Sequence, residues 1–389
     1  MTATLGAEID AALAARRKLR GRPIVDVARA LAAAARRWQD DAALAAALPE
    51  TARLDDKMVA HVLPLVAEAI DADALVALHA REATSEGPAL VAHVLASNVP
   101  ALAVPAIALG CLAGAAVVVK SGRADTVSAP AFRRALAAVD ADLAATVVTA
   151  YWPGGAADVE DAVLSRADVV VATGGDTSTS ALVRRFGGRV VAHGERASVA
   201  VLGPDASAAD AEALAWDVVR YEQRGCLSPH VAFVAGDAGA FAGRLHTALD
   251  QLATVVPPGT PTTAERAAAR MTVEEARFTG VPILEGRGGT VMVDERRGTD
   301  PAPGCRTVRV VPVAAPGDAL AALPDGAIEC VGVGGGAVLD VDALRRLGVA
   351  RLCRVGRMQR PRIDWPRGQR PALGSLFRGA AEPRIQVEP

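Results

Sequence analysis

The stretch Ala116-Val117-Val118-Val119-Lys120-Ser121-Gly122-Arg123 decides the fold class. An unbroken apolar run rich in β-branched valine stops at a lysine and a turn of small residues. A strand with one wet face would alternate apolar with polar, whereas a continuous run is what a strand buried on both faces needs. Outward from it the pattern recurs at 146–151 (TVVTAY), 168–172 (DVVVA), 189–192 (RVVA) and 199–202 (VAVL). Helix candidates near 129–139, 158–164 and 178–186 lie between these runs. Alternating helices and apolar strands predict a parallel sheet covered on both faces.

A second α/β unit follows Gly203-Pro204-Asp205. It reads as a helix over 208–222, the loop Gln223-Arg224-Gly225-Cys226, a strand over 230–235 and a helix over 238–252. Further strands are expected at 290–293, 307–313 and 327–331. Residues 1–86 are rich in Ala, Leu and Arg and read as helical, with Pro23, Pro49 and Pro64 as punctuation. From Arg354 onward Pro, Arg and Gly predominate, which predicts an irregular arm. The expected divisions are therefore 1–86, 87–203, 204–353 and 354–389.

Composition excludes several function classes. The 389 residues carry a net charge of −2 and show no basic stripe, which argues against nucleic-acid binding. The segment 99–119 has no charged residue, but Pro100, Pro105, Gly110 and Gly114 interrupt it. It reads as a buried helix and then a buried strand, so no membrane span is expected. The five cysteines form no CxxC pair and no zinc spacing, so neither a metal site nor a disulfide framework is expected. The N-terminus lacks an apolar signal core, and a cytoplasmic location is the simplest expectation.

The candidate site residues each allow two readings. Cys226 follows a helix and precedes a strand, in a turn bounded by Gly225 and Pro229, with Arg224 near enough in sequence to favour a thiolate. It is either a nucleophile or a structural cysteine. Cys111, Cys305, Cys330 and Cys353 lie in apolar or strand-like runs and read as structural. Asn98, in Ser97-Asn98-Val99-Pro100, is either an amide aimed at a developing oxyanion or a helix cap. Lys120, Ser121 and Arg123 end a strand where open α/β sheets bind ligands, and suit a phosphorylated ribose or a solvated strand end. Thr173, Gly174 and Gly175 open a helix after a strand, where backbone N–H groups can approach a phosphate. Gly332-Val333-Gly334-Gly335-Gly336-Ala337 matches a dinucleotide fingerprint in form, but no acidic partner follows at the usual distance, and a tight turn is the better reading.

Taken in order, Asn-x-Pro, strand-Lys-Ser, strand-Thr-Gly-Gly and a cysteine turn resemble the aldehyde dehydrogenase superfamily. The details resemble its acyl-CoA reductase branch, the LuxC-type reductases of bacterial bioluminescence. The stretches HVLASNVPALAVP (93–105), VVVKSGRAD (117–125), RGCLSPH (224–230) and RVGRMQRPRIDWPRGQRP (354–371) carry the resemblance. It implies an aldehyde-dehydrogenase-like α/β fold with two Rossmann-like domains. Residues 87–203 would form the cofactor domain with 1–86 as its helical part, 204–353 the catalytic domain, and 354–389 a C-terminal arm. It implies Cys226 as nucleophile and Asn98 as oxyanion donor. Lys120, Ser121, Thr173, Gly174 and Gly175 would bind cofactor. Arg123 stands where NAD-preferring members have a glutamate, and an arginine there favours the 2′-phosphate of NADPH.

The implied reaction is reduction of an acyl-CoA or acyl-carrier-protein thioester to an aldehyde through an S-acyl-cysteine. The glutamate that activates a deacylating water in aldehyde-oxidising members has no clear counterpart in 191–195. Glu195, Glu222 and His230 remain as proton-transfer candidates. The same residues would also serve a CoA-acylating aldehyde dehydrogenase, and a non-catalytic acyl-carrier-binding subunit is the alternative from another class. Family habit implies a homo-oligomer. The arginines of 354–370 would meet either an acidic carrier or CoA phosphate, or form a solvated arm.

Overall fold

Aspartates set where three of the first five helices begin. The structure, a computed structural model, describes residues 2–84, 86–296, 299, 302–377 and 382–388. It opens with α1 (Thr2–Lys18), α2 (Ile24–Gln39), α3 (Ala42–Ala52), α4 (Asp56–Glu68) and α5 (Ala72–Glu82). Asp41, Asp55 and Asp71 each accept backbone N–H bonds at the start of α3, α4 and α5, meeting donors the helix itself cannot satisfy. Pro49 and Pro64 lie inside α3 and α4 and do not end them.

The valine runs become the first sheet. Its strands are β1 (Leu90–Val94), β2 (Ala116–Lys120), β3 (Val147–Ala150), β4 (Val169–Thr173) and β5 (Val190–His193), in the order β3-β2-β1-β4-β5. All four pairings are parallel. Between the strands run α6 (Ala103–Leu112), α7 (Ser128–Val139), α8 (Ala141–Ala144), α9 (Ala157–Leu164) and α10 (Asp176–Phe186). Leu5, Ile9 and Ala12 of α1 share a core with Leu90, Ala116, Val148 and Val170. The uncharged segment 99–119 is buried helix α6 followed by buried strand β2. Among the described residues, no helix is long and apolar enough to cross a membrane.

The second sheet comprises β6 (Ala197–Leu202), β7 (Pro229–Ala235), β8 (Ile283–Glu285), β9 (Thr290–Val293), β10 (Thr307–Val313), β11 (Ile328–Gly334), β12 (Arg351–Arg354) and β13 (Gln386–Val387). Its order is β13-β12-β11-β6-β7-β10-β9-β8, with only the β8–β9 pair antiparallel. Helices α11 (Ala208–Val219), α12 (Ala238–Val255), α13 (Thr263–Phe278) and α14 (Val341–Arg346) belong to this half. Its central run β10-β7-β6-β11-β12 repeats the connectivity of β3-β2-β1-β4-β5. Both halves are thus Rossmann-like.

One strand belongs to the second unit and not, as its position in sequence predicts, to the first. The run 199–202, read with the first unit, is β6 and lies between β11 and β7 in the middle of the second sheet. The tail does more than form an arm, because β13 pairs with β12 and extends that sheet. The glycine fingerprint is a tight turn: Gly335 and Gly336 have φ of 57° and 73°, and Asp210 accepts the Gly335 N–H at 3.2 Å.

Only Gly194-Glu195-Arg196 separates the end of β5 from the start of β6. The carboxyl edge of the first sheet therefore faces the amino edge of the second. Open α/β sheets bind ligands at the carboxyl ends of strands, where the order reverses. Here that point lies between β1 and β4, and the second sheet closes it from the other side.

Candidate active site

A cleft of about 2250 Å³ separates the two sheet edges. Val94, Lys120, Thr173 and His193 line it from the first sheet, and Ala197, Cys226, Arg306 and Glu329 from the second. The structure therefore brings Asn98, Lys120, Arg123, Thr173, Gly174, Gly175 and Cys226 to one cavity. Ser121 is buried beside it and does not line it.

The Cys226 turn is set by backbone conformation. After α11, Tyr221, Glu222 and Gln223 are all left-handed, with φ of 55°, 56° and 60°. Side chains make that region costly, so three in a row need outside support. Gln223 supplies some of it by donating to the Pro229 and Thr307 carbonyls at 2.9 and 2.7 Å and accepting the Thr307 N–H at 2.9 Å. Glu222 supplies the rest in a buried two-point ion pair with Arg306, at 2.6 and 3.1 Å. That pairing occupies Glu222, which leaves the proton-transfer candidates. Gly225 sits in close quarters: a Cβ there would stand 3.1 Å from Val99 Cγ2, so the valine would have to give way. Ser198 ties down the far side, donating to the Cys226 carbonyl at 2.6 Å.

Arg224 does not face the thiol. Its guanidinium pairs with Glu265 at 3.0 Å and donates to the Ala52 carbonyl at 2.8 Å. The left-handed turn directs it toward α3 and α13. The charges acting on Cys226 come from distant segments. Burial pushes its thiol up to about 12, Glu329 pushes the same way, and Arg367 and Arg196 oppose them. Sequence reasoning missed Glu329 and Arg196. A glutamate inside the apolar run 328–334 was the available signal, since an unpaired buried carboxylate is costly.

Asn98 lies over the same turn, its amide donating to the Arg224 carbonyl at 2.7 Å. An amide nitrogen has two hydrogens, so one donor remains after that bond. Asp125 holds the Asn98 loop by accepting the Ala101 N–H at 2.7 Å. Gly122 lets the loops after β1 and β2 touch, because a Cβ there would meet the Ala96 carbonyl oxygen at 2.5 Å.

On the first-sheet side, Lys120 is half-buried with its Nζ 5.9 Å from the Tyr151 ring centre, and burial lowers its pKa. Arg123 is exposed on the rim. The buried Thr173 hydroxyl has no hydrogen-bond partner. Glu195 is exposed at the cleft, and His230 Nδ1 is 2.9 Å from the Ala302 carbonyl. Cys305, expected in a structural run, lines the cleft in a left-handed turn.

Some of the tail arginines are used internally. Arg360 pairs with Glu68 at 2.7 Å, Arg362 with Asp364 at 3.2 Å, and Arg384 with Glu82 at 3.3 Å. They fasten the tail to α4 and α5 and among themselves, which occupies Arg360 and Arg362 of the arginines in 354–370, while Arg354, Arg357 and Arg370 are exposed.

His93 is buried with Nε2 unpartnered, and burial, then Arg367, pulls it from 6.5 to about 3. Its folded value lies below its unfolded one, so its stabilising contribution is present above 6.5 and lost as pH falls through that window. By about pH 4.5 the loss is about 2–3 kcal/mol. Urea midpoints are expected to fall from about pH 6.5 to 4.5, and His93→Leu is expected to flatten the slope. An unchanged slope in that variant would contradict the assignment.

The family model described as Acyl-CoA reductase (LuxC) matches residues 24–377. The chain belongs to the LuxC acyl-CoA reductase family. A long-chain acyl-protein thioester reductase of Aliivibrio fischeri is 28% identical over 201 residues, which are 50% of this LuxC-family chain and 42% of that protein. One from Vibrio harveyi is 27% identical over 199 residues, covering 49% and 42%. The match thus spans less than half the length of these relatives. Among solved structures, an NADP-dependent glyceraldehyde-3-phosphate dehydrogenase from Bacillus halodurans C-125 superposes with a TM-score of 0.74 at 16% identity, covering 97% of this chain and 89% of that one. Lactaldehyde dehydrogenase from Escherichia coli gives 0.69 at 16%, covering 90% and 82%. The LuxC-family chain therefore has the aldehyde dehydrogenase fold.

Proposed function

We propose that this LuxC-family chain reduces an acyl thioester to an aldehyde with NADPH, through an S-acyl intermediate on Cys226. The observation that carries the reading is the Asn98 amide bonded to the Cys226 turn inside the cleft between the two sheets. The Cys226 thiolate attacks the thioester carbonyl carbon, and the carrier thiol departs with a proton. The spare Asn98 N–H and the backbone N–H of Cys226 are donors for the oxyanion formed on the way. Splitting the reduction into capture and release replaces one difficult step with two easier ones.

The residues of the first sheet edge fit a nicotinamide dinucleotide. The unpartnered Thr173 hydroxyl awaits a polar group, Gly174 and Gly175 open α10, and Lys120 with Arg123 offers two cations at the end of β2. Arg123 cannot accept from a 2′-hydroxyl and suits a 2′-phosphate, which favours NADPH. When bound, the cofactor supplies the hydride that reduces the acyl-enzyme.

An apolar wall supports an acyl chain. Leu65, Val66, Leu102, Leu109, Ile363 and Leu376 line the cleft from α4, the α6 segment and the tail. The donor is proposed to be a long-chain acyl group on a protein or CoA thiol, as the names of the relatives indicate for those proteins.

The test is cofactor oxidation with a panel of acyl-CoAs and acylated carrier proteins, with NADPH and NADH side by side. Thioester-dependent consumption that prefers NADPH supports the reading. Activity only with an aldehyde and free CoA would replace it with the oxidative enzyme. Silence without cofactor binding would leave a non-catalytic subunit. In the same assay, Asn98→Ala is expected to lower turnover by about two to three orders of magnitude, the usual cost of one oxyanion donor. A loss of only a few-fold would remove Asn98 from that role.

A further inference from the structure

The nucleophile reading leaves a chemical problem: Cys226 is crowded by protein and beside a carboxylate, both of which oppose a thiolate. The adjoining charges offer an answer. Glu329 is 2% exposed and pairs with Arg196 at 2.7 Å. The Gly368 N–H donates to both Glu329 oxygens, at 3.0 and 3.2 Å. Gly368 is left-handed with φ of 56°, and a Cβ there would stand 3.4 Å from Arg196 Nη1. This turn fixes Arg367, whose guanidinium lies 5.2 Å from the Trp365 ring centre. Trp365 belongs to the apolar cluster against which Cys226 packs, with Leu227, Cys330, Cys353 and Met358.

The charge count then matters. Arg196 and Arg367 bring two positive charges and Glu329 one negative charge. The histidines lining this part of the cleft, His93 and His193, are both held near 3 by burial first and Arg367 second, so they are neutral at physiological pH. Arg370, which also acts on His193, is exposed to solvent. The group of Glu329, Arg196, Arg367 and Cys226, the first buried and the other three half-buried, therefore carries one excess positive charge while Cys226 is a thiol, and balances when Cys226 ionises. Unbalanced charge in a low-dielectric site is costly.

We propose that Arg367 is the counter-ion of the Cys226 thiolate, and that Glu329 limits its strength by sharing it with Arg196. The proposal rests on Cys226 being the nucleophile. The thiol gives its proton to solvent, the thiolate pairs with Arg367, and its electron pair then forms the bond to the acyl carbon. Arg224, the arginine adjacent in sequence, takes no part.

The test is the rate at which neutral iodoacetamide alkylates Cys226 at one neutral pH, read by mass spectrometry of its peptide. The thiolate sulfur forms the bond to carbon and iodide leaves. Arg367→Gln is expected to slow alkylation by about tenfold or more, one unit of thiol pKa being tenfold in thiolate. Arg367→Lys is expected to recover part of the rate. Glu329→Gln is expected to accelerate it by a similar factor. Effects of opposite sign uphold the proposal, because loosening the site structurally would move both variants the same way. Equal signs, or no change, overturn it. If Arg367→Gln fails to fold, Arg367→Lys takes its place: slowing there together with acceleration in Glu329→Gln upholds the pairing, and equal signs or no change overturn it. Turnover by Cys226→Ala would sink the nucleophile reading separately, since the alkylation rates do not depend on turnover.

Discussion

Cys226→Ala is expected to abolish thioester-dependent NADPH oxidation, by at least about four orders of magnitude, while NADPH binding is unchanged. Removing a covalent nucleophile leaves only binding and oxyanion stabilisation, and losses of this size follow in enzymes built that way. Binding is expected to persist because Lys120, Arg123 and Thr173 belong to the other sheet edge. The required control is Cys305, which lines the same cleft on the approach to β10. Burial raises its pKa too, and Glu265 and Glu222 act on it in the same direction. Cys305→Ala is expected to keep turnover within a few-fold. If Cys305→Ala were the inactive variant and Cys226→Ala the active one, the nucleophile would have to be reassigned.

Glu222→Ala is expected to destabilise the protein by about 3–5 kcal/mol, read from the urea midpoint at unchanged slope. The substitution would leave Arg306, 1% exposed, without its carboxylate and with only the Val256 and Pro257 carbonyls, at 3.1 and 3.2 Å, to accept its donors. A buried unpaired charge is far more costly than a missing buried pair. The double variant Glu222→Leu/Arg306→Met is therefore expected to lose less than Glu222→Ala alone. A single-variant loss below about 1 kcal/mol would show that the pair contributes no more than a surface one. Because Glu222 is left-handed four residues before Cys226, alkylation of the thiol should change along with stability.

Much of this protein was legible in local pattern. Runs such as 116–120 and 168–172 announce strands buried on both faces, because a side-chain period of two cannot otherwise stay apolar throughout. The segment 99–119 shows a helix and a strand by its glycines, prolines and final valines, and the structure has α6 and β2 there. The order of Asn98, Lys120, Thr173-Gly174-Gly175 and Cys226 pointed to the aldehyde dehydrogenase superfamily, the stretches 93–105, 117–125, 224–230 and 354–371 pointed to the LuxC family, and the ordered residues line one cleft. These features repeat over a few residues, or occur in a fixed order, and need no knowledge of distant contacts.

Tertiary structure alone decided the rest. Nothing in the run 199–202 states which sheet it joins; its hydrogen bonds to β11 and β7 do. Arg224 is two residues from Cys226 in sequence, yet three left-handed residues before it send its guanidinium to Glu265. Arg367 and Glu329 are remote in sequence and act on the thiol's charge because the tail folds back to Glu329 at the amino edge of the second sheet. Residue type and spacing encode burial and turn chemistry, which are local. Electrostatics depends on distance and burial in space, and those exist only once the two sheet edges have met across the cleft.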